Sequence, residues 1–147
     1  MAHEISRLRK WVYDSLKADA TLTALIGGST APRIYAFQAP EGATLPYVIF
    51  QVIGGFDTQA LGTTRVLTQP QVLIKVVSDG PPNASAMTIA DRIDAVIGQA
   101  SAESSESYVF SAIRQQPVEF VEPKRDSSAY YTHSGGIYRC FVHPVAL

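Results

Sequence analysis

Few residues in this chain stand at spacings that chemistry requires. Gly27 and Gly28 precede Ser29 and Thr30 like the opening of a phosphate-cradling loop, but no lysine follows to reach a phosphate. The run comes after an apolar turn, where paired glycines serve as a left-handed helix stop. A nucleophile elbow of the form G-x-S-x-G is absent, so a serine hydrolase has no sequence support. His3, His133 and His143 form neither an H-x-x-x-H nor an H-E-x-x-H pair, and Cys140 is the one cysteine, which excludes a thiolate zinc cage and an intramolecular disulfide. His133 and His143 could meet across neighbouring strands, though without ligand spacing they read as exposed or hydrogen-bonded histidines. Asp91 and Asp94 are three apart and share a helix face, the pattern of paired acid–base carboxylates. With Arg92 between them on a polar face, solvent contact is the plainer reading. Cys140 lies between Arg139 and Phe141 in an extended run, the setting of a buried structural thiol. Arg65, Lys75, Arg114, Lys124 and Arg125 could line a basic stripe, but Asp57, Glu119, Glu122 and Asp126 balance them, and a nucleic-acid footprint needs unopposed charge.

Composition agrees with that poverty of sites. The chain has 147 residues, 46% of them hydrophobic and 17% charged, with twelve basic against thirteen acidic side chains and a formal charge of −1. One domain spanning 1–147 follows, large enough to bury a core without a disulfide or a metal. Near-zero charge supplies no general attraction to phosphate backbones or acidic membranes. No segment approaches the roughly 18 consecutive apolar residues of a membrane span, and residues 1–17 mix charged with apolar side chains, unlike a signal peptide. The expectation is a soluble protein made in a cytoplasm.

The elements follow from periodicity. Ile5, Leu8, Trp11, Val12 and Leu16 gather on one face of a helix over 5–16. Asp19 is placed to cap a second short helical turn with Leu22, Leu25 and Ile26 as its buried side. Residues 30–46 hold Pro32, Pro40, Gly42 and Pro46 and read as an irregular connection with one brief strand at Arg33, Ile34 and Tyr35. Residues 47–53 alternate as a strand, and after the glycine- and threonine-rich run 54–64 the alternation resumes through Val72, Ile74 and Val76. The result is a long antiparallel hairpin whose arm projects, with Pro70 bending its second strand or lying on an edge. Asn83 or Ser85 caps the clearest helix, with Ala86, Ile89, Ala90, Ile93, Val96, Ile97 and Ala100 on its apolar side, ended by Gly98 and the polar tract through Ser107. Strand candidates follow at 108–115, 118–122 and 137–143, with extended residues at 130–132 and a basic turn at Pro123, Lys124 and Arg125. The fold class is α+β: an antiparallel sheet with a long hairpin and two main helices packed on one face.

Such packing leaves apolar surface over. Helices on one face satisfy Val48, Phe50, Val52, Val72, Ile74 and Val76, while Tyr47, Ile49, Ile53, Leu73 and Val77 look the other way. Either the sheet folds over itself or a neighbouring subunit covers it.

The run Leu16, Lys17, Ala18, Asp19, Ala20, Thr21, Leu22, Thr23, Ala24, Leu25, Ile26, Gly27, then Arg33, Ile34, Tyr35, then Ala39, Pro40, Glu41, Gly42 and Pro46, Tyr47, Val48, resembles the tail-completion or tail-terminator family of long-tailed double-stranded-DNA bacteriophages. The glycine-bearing hairpin with Asp57, one amphipathic helix after it, and a late strand at Gly136, Ile137, Tyr138 and Arg139 follow the same order. The resemblance implies a structural virion protein without catalytic residue, cofactor or metal, assembled in the host cytoplasm. It would form a ring, commonly a hexamer, at the head-proximal end of the tail tube. There it would end tube polymerisation and join the tail to a head-side connector, with genome DNA passing through the lumen unbound and no membrane involved. The partner interface expected on this basis is Phe56, Asp57, Gln59, Leu61, Arg65, Leu73 and Lys75. Alternatives are another neck or head-closure ring component, or a small enzyme with a site drawn from Asp57, His133 or His143.

Overall fold

Leu8, Trp11, Val12 and Leu16 recur three and four apart and are buried along one side of the first helix, α1 (Ala2–Ala18). Lys10 and Asp14 pair at 2.7 Å on its solvent side, where an exposed ion pair contributes little. The computed structural model describes residues 2–62, 65–98, 103–105 and 108–144, with side chains from residue 4 onward and none for 103–105. Asp19 caps α2 (Ala20–Leu25) as expected, its Oδ1 accepting from the Leu22 N–H at 2.8 Å. The helix stops at Gly27 (φ +107°) and Gly28 (φ +88°), a left-handed pair that only glycine adopts cheaply.

Six strands form one sheet: β1 (Ile34–Ala36), β2 (Tyr47–Gln59), β3 (Arg65–Asp79), β4 (Glu103–Ser105), β5 (Tyr108–Pro123) and β6 (Tyr130–Pro144), in the order β1-β2-β3-β6-β5-β4. Between β3 and β4 lies α3 (Ala84–Ile93), capped by Asn83 Oδ1 on the Ala86 N–H at 2.9 Å and continued by a π-helical turn, Asp94–Gly98. The expected end of this helix in the tract to Ser107, and Ala100 with it, falls partly outside the described residues.

Three expectations are corrected. The sheet is mixed: β1 runs parallel to β2, because the irregular connection 37–46 carries the chain back to start β2 in the same direction. The separate strand candidates at 108–115 and 118–122 are one strand, since a bulge between Arg114 and Gln116 absorbs the break in alternation. The extended residues at 130–132 likewise join 137–143 in β6. Pro70 lies in an interior strand instead of on an edge. It sits opposite Gly55 of β2, and the β3–β6 ladder skips it between Thr68 and Gln71, so no hydrogen bond is lost. A Cβ at Gly55 (φ +139°) would stand 2.5 Å from the Gln69 carbonyl oxygen and from Pro70 Cα, so the close approach of the β3 backbone requires glycine there.

The core joins α1, α2, α3 and the π-helical turn to a single alternate set of strand side chains. Val48 and Phe50 of β2, Val72, Ile74 and Val76 of β3, Phe110 and Ala112 of β5, and Tyr138, Cys140 and Val142 of β6 belong to one cluster with Leu8, Leu16, Leu22, Ile89, Ile93 and Ile97. Trp11 stacks on Phe110 at 5.3 Å between ring centroids, tying the first helix to β5. The helices are joined in turn by Asp19, whose two carboxylate oxygens accept from Arg92 Nε at 3.0 Å and Nη2 at 2.5 Å. The Arg92 guanidinium holds the Asp19 carboxyl below its ordinary value against the opposing effect of burial, with the Leu22 N–H adding to the lowering.

A carboxyl whose value is depressed on folding stabilises the fold above its unfolded value and loses that contribution as pH falls through the folded one. Wild-type stability therefore declines below about pH 4 through this pair, and Asp19→Asn flattens that part of the profile while keeping the cap. Asp19→Ala removes the cap as well, costing about 1 kcal/mol more than Asp19→Asn at pH 7. Urea unfolding of the three proteins across pH checks both statements.

Candidate partner interface

The seven residues expected to meet a partner fall into two separate places. Asp57 and Arg65 come together near the closed end of the β2–β3 hairpin, where Arg65 Nη1 donates to Asp57 Oδ2 at 3.3 Å and Nη2 pairs with Glu4 of α1. Gln59 pairs with Arg65 in the ladder. Phe56 lies opposite Gln69, with 56% of its surface exposed, and Leu61 at the arm's end is fully exposed.

A bulge decides this arrangement. The β2–β3 register shifts by one between Val52 and Gly54, which brings Asp57 opposite Thr68 and lets its carboxylate meet Arg65 beside α1. Glu4 was missed by sequence reasoning, since 61 positions separate it from Arg65 and no local pattern connects them. Around the trio an open groove of about 340 Å³ is lined by Ile5, Val52, Phe56, Thr68 and Pro70 among others. The arginine faces two carboxylates, so the floor of the groove holds a mutually compensated cluster and not converging free charge.

Leu73 and Lys75 belong instead to the sheet face turned away from the helices. Leu73 pairs with Gln51 and Ile137, and Lys75 with Ile49 and Gly135. One row on this face runs Tyr47, Val77, His133, Phe120 across four strands. His133 stacks on Phe120 at 4.4 Å, and Lys75 Nζ sits 4.9 Å from the same ring centroid. The His133 Nε2–H donates to Glu122 Oε2 at 2.7 Å, which leaves Nδ1 buried without a partner. Burial keeps the His133 imidazole below its ordinary value, Lys75 pushes the same way, and Glu122 opposes both. Burial likewise lowers the Lys75 ammonium, with Glu122 acting against it. The sheet does not fold over itself. Long aromatic and lysine side chains cover Val77 and Ile49, whereas Ile53, Ile113 and Phe120 stay at least two-fifths exposed.

The remaining chemical candidates are dispersed. His133 and His143 lie on the same strand, β6, about 33 Å apart at strand rise, so they cannot meet across neighbouring strands. Asp57 is engaged with Arg65, which leaves the trio Asp57, His133 and His143 unassembled. Asp94 accepts from the buried Tyr138 hydroxyl at 3.2 Å and lies 3.7 Å from Arg114, while Asp91 is exposed, so the two carboxylates serve different surroundings. Cys140 is fully buried and its thiol is pushed up to about 12, which leaves no thiolate at neutral pH. The basic residues form no stripe: Arg65, Arg114 and Lys124 each face a carboxylate, and Lys75 faces a ring. Among the described residues no group of three or more His, Cys, Asp or Glu is placed to hold a metal ion, and no helix is long and apolar enough to cross a membrane.

With this geometry in view, comparison with known proteins is informative. The family described as tail completion protein gp17 matches residues 10–124. Among solved structures, a chain of a particle described as the virion of a native gene transfer agent superposes with a TM-score of 0.62 at 19% identity, covering 90% of this chain and 91% of that one. That likeness is one of fold. No curated protein matches the sequence.

The His133 ring is expected to titrate below the ordinary histidine value, which an NMR pH series checks. Lys75→Met moves its midpoint up and Glu122→Gln moves it further down, because the first removes a like charge and the second an anion. A midpoint unmoved by either substitution contradicts the arrangement on this face.

Proposed function

Because the chain belongs to the tail completion protein gp17 family, we propose that it is a structural subunit of a virion tail. In this reading it works by assembling beside copies of itself, as a ring of six, on the head-proximal end of the tail tube. The ring ends addition of tube subunits and offers its far side to a head-side connector in the neck, after assembly in the host cytoplasm. No bond is made or broken, and DNA passes through the lumen without specific binding.

The observation that carries this reading is the arm. Leu61 is fully exposed in the loop that closes the β2–β3 hairpin and Phe56 is 56% exposed on β2, and Arg65 ties that closed end to Glu4 and Asp57. Apolar side chains on a braced projection have no use within the protomer, and desolvating them against a partner is favourable by about 25 cal/mol per Å² of area covered. Phe56, Asp57, Gln59, Leu61 and Arg65 form the tube-facing part of the interface. Leu73 and Lys75, on the far sheet face, form a second part. The compensated basic residues support a conduit that does not retain the genome, since binding to phosphates needs unopposed charge. The same pairing speaks against an enzyme, which needs ionisable groups converging free on a substrate.

The double variant Phe56→Ser/Leu61→Ser is expected to fold normally, with stability within about 0.5 kcal/mol of wild type, because both side chains are exposed. Joined particles in an in vitro head-and-tail assembly mixture should fall at least about tenfold, as for loss of an interface hot spot. Undiminished joining by a folded double variant overturns the assignment of the arm. Light scattering that finds only monomer, alone and with purified tube protein, overturns the ring.

A further inference from the structure

The sheet has two long edges that nothing covers among the described residues. On one side β1 pairs only with Val48, Ile49 and Phe50, and the Phe37 N–H closes on the Phe50 carbonyl, so the outer edge of β2 is open from Val52 to Gln59. On the other side β4 pairs only with Tyr108, Val109 and Phe110, so the outer edge of β5 is open from Ser111 to Pro123. Open edges of this length are templates for pairing with another chain, and proteins that stay monomeric blunt them with charge, proline or cover. Here each has a stretch that is blunted little. The stretch 52–59 carries one charge, Asp57, and on the β5 edge residues 111–116 carry one, Arg114, while Pro117, Glu119, Glu122 and Pro123 blunt the remainder.

Three features make these edges complements of each other. From β2 to β3 to β6 to β5 every pairing is antiparallel, so β2 and β5 run in opposite directions. When copies are repeated in the same sense, as ring closure requires, the β5 of one therefore lies antiparallel to the β2 of the next. Exposed apolar side chains also concentrate here, with Ile53 at 43% and Phe56 at 56% on β2, and Ile113 at 52%, Phe120 at 43% and Val121 at 56% on β5. Moreover, Gly54, Gln71, Arg139 and Ile113 form one cross-strand row, which puts Ile113 at one end and Ile53, the residue beside Gly54, at the other.

We propose that neighbouring copies join edge to edge, the outer edge of β2 in one copy adding antiparallel to the outer edge of β5 in the next, so that the sheet continues around the ring. This rests on the ring reading given above and names the contact that builds it. Main-chain hydrogen bonds supply the attachment, and Ile53 and Ile113 meet as the side-chain pair that sets the contact. Each copy then uses one edge of each kind.

The test uses the full chain, alone and with tube protein purified from the same particle, with mass read by light scattering and folding by circular dichroism. Ile53→Lys and Ile113→Lys each place a charge on one edge and should each leave a folded monomer under conditions where wild type forms rings. Leu25→Lys, a change at a 38% exposed residue of α2, which packs on α1 and α3 and on neither edge strand, should leave the ring intact. Hydrogen exchange should show amides in 52–58 and 111–116 slowed at least about tenfold in wild-type rings relative to the monomeric variants. Rings from either edge variant, loss of rings in Leu25→Lys, or unprotected edge amides within wild-type rings overturn the edge contact and leave the ring reading standing. A wild-type chain that stays monomeric in both samples removes the ring reading, and the edge contact with it.

Discussion

A sheet has two faces and two edges, and the helical segments of this chain supply apolar cover for one face. Leu8, Trp11 and Leu16 of α1, Leu22 of α2, and Ile89, Ile93 and Ile97 of α3 and its π-helical extension meet one alternate set of strand side chains. The stacking of Trp11 on Phe110 and the Asp19–Arg92 fork hold the helical layer together and to the sheet. Everything of functional interest lies where that cover stops. The hairpin loop exposes Leu61, the far face lies away from the helices, and the outer edges of β2 and β5 keep their hydrogen-bonding groups open among the described residues.

The arm shows how a local irregularity directs a surface. Without the register shift at Ile53, alternation would carry Asp57 to the far face and away from Arg65 and Glu4. With it, an ion cluster braces the arm against α1, and Phe56 and Leu61 are held out on a supported projection. Gly55 allows the bulged strand to approach Pro70, whose missing N–H falls in a gap of the neighbouring ladder. The closed end of a long hairpin is thereby tied to the first helix. The far face follows the opposite logic: His133, Lys75 and Phe120 shield one another and leave a half-covered aromatic surface instead of a charged one.

Much of the architecture was legible from residue spacing, and the failures have identifiable causes. The two longer helices, the Asp19 cap, the glycine stop and the hairpin all rest on local patterns, and the structure contains each. The parallel β1–β2 pair was not legible, because strand direction depends on the path of an irregular connection. The continuity of β5 was hidden because a bulge at Gln115 and the proline after it break the alternation by which strands are recognised. Of the residues expected at a partner interface, Asp57 and Arg65 meet in the structure, whereas Leu73 and Lys75 face the other side of the sheet.

The amino-acid sequence by itself determined that this is an α+β chain with one buried helical stripe per helix, almost no net charge, no spacing suited to metal or nucleophilic chemistry, and more apolar strand surface than its own helices can cover. These properties are carried by residue type and short-range period, which need no knowledge of what lies across the fold. Tertiary structure alone decided which surplus surface stays open: that the sheet does not close on itself, that Glu4 reaches Arg65, and that two oppositely directed edges end one row at Ile53 and Ile113. Such facts depend on strand order and register, which are set by long-range packing and a single inserted residue, and a one-residue change in register would reassign every side chain beyond it.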